Sequence, residues 1–247
     1  MRFTRRDLEQ LDVLLYQKAA RVVPMRDVWK GDTASDVIGL RHDVDDNHGG
    51  MALNTALRMA EWEASRGYSS TYFLLHGSSY WRRIHMAAEL EDMGHEVGLH
   101  VNGIAEAIRQ KRSPVDIVRD ALAELREFAR VEGIVAHGDQ LCRDRFRRLR
   151  FVNDEMFTES PRPELGDPRR VVFADGVAVP LEPISRASLG IGYDAAWLAR
   201  GLYLSDSGSE WSQPVSEISR KFGTGQLHML VHPDWWAGAF VPERLAA

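Results

Sequence analysis

Cysteine is nearly absent. The 247-residue chain has a single one, Cys142. That excludes a disulfide framework and a zinc site built from several cysteines. A long basic run is also missing. The densest stretch, Arg143 to Arg150, interleaves arginine with Asp, Phe and Leu, and the formal net charge is −5. The expectation is no nucleic-acid partner. No apolar run is long enough to span a membrane or serve as a secretory leader. Arg2, Arg5 and Arg6 are followed by Leu8 to Val13, which Glu9, Gln10 and Asp12 interrupt. The sequence therefore predicts no membrane partner and a cytoplasmic location. There is no internal repeat, no low-complexity tract and no linker long enough to divide the chain. With 44% apolar residues, the length is ample for a core.

What is present is an alternation of short apolar runs with helical patterns. Strands are predicted at 37–43, 70–75, 96–101, 133–137, 202–206 and 227–231, with a hairpin over 170–179. Helices are predicted at 4–21, where Thr4 and Asp7 form a capping box, at 51–65, 80–93, 104–131 with a restart at Ser113-Pro114, 193–199 and 216–222. Strand alternating with helix is the pattern of a parallel α/β sheet or barrel. Residues 1–36 read as an N-terminal helical extension packed on a single barrel domain spanning 37–247.

The chain is organised around Arg41-His42-Asp43-Val44-Asp45-Asp46, at the end of a buried-type strand. Such carboxyl ends are where α/β proteins build their sites. Asp43 and Asp45 project to one side, because side chains along a strand repeat every two residues. Two carboxylates aimed together repel unless something positive lies between them, and a divalent metal meets that need. Other strands end in His100, His137, Asp206 and His232. A carboxylate with two imidazoles and an open position is a catalytic zinc pattern.

Leu40 to Asp45, Gly94 to His100 and Leu230-Val231-His232-Pro233 resemble three motifs of the polysaccharide deacetylases, the NodB-homology or family-four carbohydrate esterase superfamily. Ser70 to Phe73, His137-Gly138, Tyr203 to Gly208 and Trp211 resemble a branch that starts with histidine-aspartate-x-aspartate. The likeness is scattered over residues 37–236. It implies a distorted seven-stranded (β/α) barrel and a metal-dependent deacetylase. It implies Asp43 as general base, Asp45 and His100 as ligands, and His232 as the acid that protonates the leaving amine. The ion it implies is zinc, with cobalt, nickel or iron as alternatives.

One departure is marked. The family's second motif supplies another histidine four residues after the first, and here that position is Ile104. His137 is the first candidate for the third ligand, ahead of His48 and Asn102. The arginine expected after the fourth strand has no clear match, with Arg143, Arg145 and Arg162 in the region. Arg41, His76, Asp206, Trp211 and Trp235 are assigned to substrate contact. For each a plain role competes: an ion pair between Arg41 and Asp206 or another acid, a turn cap at Asp206, core packing for the tryptophans. His95, His85 and His228 read as structural. The expected activity is hydrolysis of a C–N amide bond, foremost N-deacetylation of an amino sugar or small glycoconjugate. The alternatives are a metal-free amide or cyclic-imide hydrolase of the same superfamily, or a carbohydrate-binding relative that has lost catalysis.

Overall fold

The structure, a computed structural model, describes residues 2–32, 34–46, 51–142, 152–159, 171–174, 177–180, 182–198 and 201–240. In chain order it has α1 (Arg5–Leu14), β1 (Arg21–Val23), α2 (Met25–Trp29), β2 (Val37–Val44), α3 (Ala52–Ala64) and β3 (Thr71–Leu75). There follow α4 (Ala87–Asp92), β4 (Glu96–Val101), α5 (Gly103–Gln110), α6 (Pro114–Leu125), β5 (Gly133–Ala136), β6 (Val171–Ala174) and β7 (Val177–Pro180). The chain closes with β8 (Tyr193–Asp194), β9 (Leu202–Ser205), α7 (Val215–Lys221) and β10 (Leu227–Val231). No helix among the described residues is long and apolar enough to cross a membrane.

The main sheet is parallel throughout, in the order β8-β5-β4-β3-β2-β10-β9, with β1 pairing on β2. It curls into a half-barrel, compatible with a distorted barrel; β8 and β9 are its two ends. β6 and β7 form a separate antiparallel hairpin, as the sequence predicted.

Register places the site. Paired residues of neighbouring parallel strands face the same side, so inward parity passes from strand to strand. Asp43 pairs with Phe73 and Phe73 with Gly98. Two residues beyond Gly98 is His100, which pairs with Val135; two beyond Val135 is His137. On the other side Arg41 pairs with Leu230, and two beyond Leu230 is His232. One face of five strands thus gathers Asp43, His100, His137 and His232 at its carboxyl end. Phe73, Met25, Val135 and Tyr193 pack together as the floor beneath. Gly98 has to be glycine there, because a Cβ would stand 2.4 Å from the Phe73 ring. The outward face carries the larger core, with Leu74, Val97, Leu99 and Ile134 against α3 to α6.

Several local expectations are corrected. The predicted helix at 193–199 is instead the two-residue β8 and a short 3-10 turn, because Tyr193 pairs with Gly133 and its hydroxyl donates to Glu96 at 2.8 Å. The helix at 80–93 begins as a 3-10 segment, Trp81–Met86, with no side-chain cap. The 104–131 region restarts at Pro114 after Ser113, as expected, the first helix having ended where Lys111 adopts a left-handed conformation; the second stops at Leu125, short of the predicted 131. The N-terminal segment is more than a helical extension: Arg21–Val23 pairs with Val37–Gly39 as a strand of the sheet. The capping box stands, with Thr4 and Asp7 bonding each other's backbone.

Candidate metal centre

The mouth of the half-barrel holds a cavity of about 620 Å³. Asp43, Asp45, His100, His137 and His232 line it, with Arg41 lower on the wall. Asp45 lies one residue past β2, where its N–H donates to the Asp43 carbonyl at 3.2 Å and turns the chain inward.

Asp45, His100 and His137 each offer a ligand atom within 4.8 Å of the other two. Asp45 Oδ1 is 3.3 Å from His100 Nε2 and 3.6 Å from His137 Nε2. Donors on a tetrahedral ion with bonds of about 2.1 Å sit about 3.4 Å apart. Both distances match that edge, and two imidazoles with one carboxylate suit a borderline divalent ion. His100 Nδ1 lies 3.0 Å from the Val135 carbonyl. Donation to that oxygen fixes the tautomer and leaves the Nε2 lone pair facing Asp45.

The electrostatics favour a cation. Burial pushes Asp45 up, but the hydrogen bond and charge of His100, then the charges of His137 and His232, hold it far below the usual carboxylate range. Burial pushes His100 down, yet the charge of Asp43 and the bond to Asp45 carry it above the ordinary value. Burial and the neighbouring His100 lower His137 to about 4. Acidic and imidazole groups thus face one another at a single mouth, an arrangement that suits a cation between them.

Asp43 adds a second function at the same mouth. Its Oδ2 is 3.6 Å from Arg41 Nη2 and 3.9 Å from His100 Nε2. Its Oδ1 is buried with no hydrogen-bond partner among the described residues. Arg41 therefore pairs with Asp43, two residues along its own strand, and not with Asp206. Asp206 is fully buried and serves His232: it accepts the His232 backbone N–H at 3.0 Å and lies 2.6 Å from Nδ1. Trp236 Nε1 donates to its other oxygen at 2.8 Å. Burial lowers His232, but the Asp206 bond and charge outweigh it and lift it to about 9. At neutral pH His232 is therefore an imidazolium whose Nε2 proton faces the cavity.

Three residues assigned to substrate contact lie elsewhere. His76 is buried at the end of β3, edge-on to Trp81 at 5.4 Å. Trp211 packs on Phe3 and Trp236 in the outer core. The Trp235 carbonyl accepts from the N–H groups of Arg2 and Phe3, and its ring packs on that same core. None lines the cavity; for Trp211 and Trp235 this is because the N-terminal segment folds over their corner and covers the aromatic cluster. Asp206 likewise acts through His232 and not on the cavity. His42 faces away from the site, toward Glu63 at 2.8 Å. His48, Arg143, Arg145 and Arg162 fall outside the described residues.

The far wall went unread in the sequence. Asp154, Trp197 and Tyr203 line it, and Trp197 Nε1 donates to Asp154 Oδ1 at 3.1 Å. Strand alternation two residues before Ser205 pointed inward for Tyr203. Asp154 and Trp197 sit on 3-10 turns without periodicity, so no sequence signal marked them. The geometry defines an α/β half-barrel protein with a candidate two-histidine, one-carboxylate metal site. Comparison with family models, with curated proteins and with solved structures returned no match in any of the three.

Proposed function

We propose that the protein is a metal-dependent hydrolase of a C–N amide bond, foremost an N-deacetylase of an amino sugar or small glycoconjugate. The observation that carries this reading is the coincidence of three elements at one cavity mouth. These are the Asp45, His100 and His137 donor set, an unsatisfied buried oxygen on Asp43, and an imidazolium at His232. A divalent ion there, zinc first and cobalt, nickel or iron as alternatives, supplies Lewis acidity toward a carbonyl oxygen and acidifies water. Asp43 is the base that accepts a proton from the attacking water, and Arg41 holds it in place. His232 donates its Nε2 proton to the leaving amine, and Asp206 holds the ring in the tautomer that allows this. Trp197, Tyr203 and Asp154 offer an aromatic and carboxylate wall to a polar substrate. The likeness of Leu40–Asp45, Gly94–His100 and Leu230–Pro233 to deacetylase motifs agrees with these roles.

A second reading is favoured by one observation. His100 Nε2 stands between Asp43 and Asp45 at 3.9 and 3.3 Å, an acid and imidazole arrangement within the chain itself that suits a metal-free amide or cyclic-imide hydrolase. Metal analysis of the purified protein separates the two, with His100→Ala and His137→Ala beside it. Near-stoichiometric zinc, cobalt, nickel or iron, lost in both variants, together with release of acetate from N-acetylated amino sugars, is the expected result. A wild-type protein that takes up no metal after supplementation overturns the metal-dependent reading.

A further inference from the structure

We infer that Asn153 is the positioning residue for the third ligand, His137, and that it does so through the backbone; this rests on the metal-dependent reading above. The two candidate histidine ligands are held differently. His100 is fixed at its ring by Nδ1 and Val135. The His137 ring has no such anchor, since its Nδ1 is buried without a hydrogen-bond partner among the described residues. Its aim depends on its main chain. The His137 N–H donates to the Val101 carbonyl at 2.9 Å, and the His137 carbonyl accepts from Asn153 Nδ2 at 2.8 Å.

Asn153 is fully buried and ties three elements together. Its Oδ1 accepts the N–H of Ile104 in the first turn of α5 at 2.9 Å. Its Nδ2 also donates to Asn102 Oδ1 at 3.1 Å, just past the end of β4. Asn102 Nδ2 in turn donates to Asp139 Oδ2 at 3.0 Å, two residues beyond His137, and Arg109 secures the same oxygen at 2.7 Å. The segment carrying Asn153 is itself fixed. Met156 is fully buried, and its Sδ lies so close to Gly103 that a Cβ there would stand 2.5 Å away. Ile104, where a histidine ligand was expected, faces the apolar core. At this position the chain uses a backbone N–H to seat the asparagine that seats the ligand on the next strand.

Groups of this kind, one shell out from the metal, alter metal affinity by about 10- to 100-fold when removed. The experiment is a cobalt(II) titration of the full chain, read by visible absorption, of wild type, Asn153→Ala, Asn153→Ser, His137→Ala and the two double variants. The expected result is that each Asn153 substitution weakens cobalt binding about 10- to 100-fold and lowers the tetrahedral-type absorption. In the His137→Ala background the same substitutions should leave the residual affinity within about twofold. If Asn153→Ala is too unstable to purify, Asn153→Ser carries the same cycle. Equal losses in both backgrounds, or variant affinities within about twofold of wild type, overturn the positioning role while the metal site stands. Wild type that binds no cobalt removes the metal reading itself, and this inference with it.

Discussion

β2 divides two clusters of the same residue types. On its outward side Glu63 takes His42 Nε2 at 2.8 Å, Ser70 Oγ at 2.7 Å and the Tyr72 hydroxyl at 3.0 Å, while His95 accepts from the Ser70 N–H and reaches the Ala60 carbonyl. On its inward side Asp43 and Asp45 face His100 and His137 at 3.3 to 3.9 Å, the shortest being the His100 to Asp45 contact and all longer than the outward bonds to Glu63. The outward acid is saturated by donors and sealed between sheet and helix. The inward acids stand at a cavity, and Asp43 Oδ1 has no hydrogen-bond partner among the described residues. Composition is alike, so it does not mark a site, but exposure differs: His42 and Glu63 are sealed at 0% and 1%, whereas His137 and Asp45 open at 19% and 14%. What separates the structural network from the reactive one is that the inward groups line a cavity while the outward ones are enclosed in the core.

The widest gap between the two clusters should appear in activity. Asp43→Asn is expected to lower kcat on an N-acetylated amino sugar by about 10²- to 10⁴-fold with the metal still bound, beyond any loss of stability from weakening its pair with Arg41. Metal analysis and urea unfolding beside the kinetics check it. An Asp43→Asn protein that keeps its turnover removes Asp43 as the base. Glu63→Gln should do the reverse. Leaving buried hydrogen-bonding groups mismatched costs about 1–3 kcal/mol of stability each, while kcat per folded molecule stays within severalfold of wild type. If Glu63→Gln is as stable as wild type but inactive, the outward cluster is no mere scaffold and the distinction drawn above collapses.

How much of this was legible in the sequence follows the same division. Strand ends were legible, because inward parity is a period-two property and Asp43, His100, His137 and His232 each end an apolar run. Parity also separates His42 from Asp43, although reading the whole motif as one site hid that. Asp154, Trp197 and Asn153 were not legible. They sit on short 3-10 turns, and only contacts across the fold bring them to the cavity or the ligand. Trp211 and Trp235 lie off the described cavity for the complementary reason. Closeness in sequence to the last motifs suggested a substrate wall, but Phe3, more than 200 residues away, covers that corner.

The pH dependence sharpens the inward side further. His232 is raised to about 9, first by its bond to Asp206, then by that carboxylate's charge, with smaller contributions from Asp45 and Asp43. A bound cation cancels much of the last two and leaves the Asp206 share. A raised histidine gives stability that is whole below its unfolded value of about 6.5 and is lost as pH rises through the folded one. The high-pH limb of kcat/KM is therefore expected above 6.5 and below the value of about 9 that holds without a cation. Asp206→Asn should bring it down toward the ordinary histidine value and flatten the alkaline loss of stability. A limb that stays in place in Asp206→Asn would assign it to another group.

The smallest effect tests whether the inward site depends on the outer core. Trp236 is fully buried, stacked on Phe3 at 4.4 Å, and its one polar atom donates to Asp206. Trp236→Phe keeps much of the aromatic packing and deletes that donor. A hydrogen bond to a charged group contributes about 1.5–3 kcal/mol, and a loss of that order in urea unfolding is expected. A purely structural tryptophan would show the same loss, so the kinetics decide. Without the indole N–H, the Asp206 carboxylate leans on His232 alone and holds the imidazolium more firmly. The high-pH limb should then move upward, opposite in sign to Asp206→Asn, and kcat should fall more than KM changes, because a proton held more firmly is donated less readily. A stability loss with an unmoved limb would confine Trp236 to packing. A moved limb would mean that the N-terminal strap, through Phe3 and Trp236, reaches the acid at the cavity mouth.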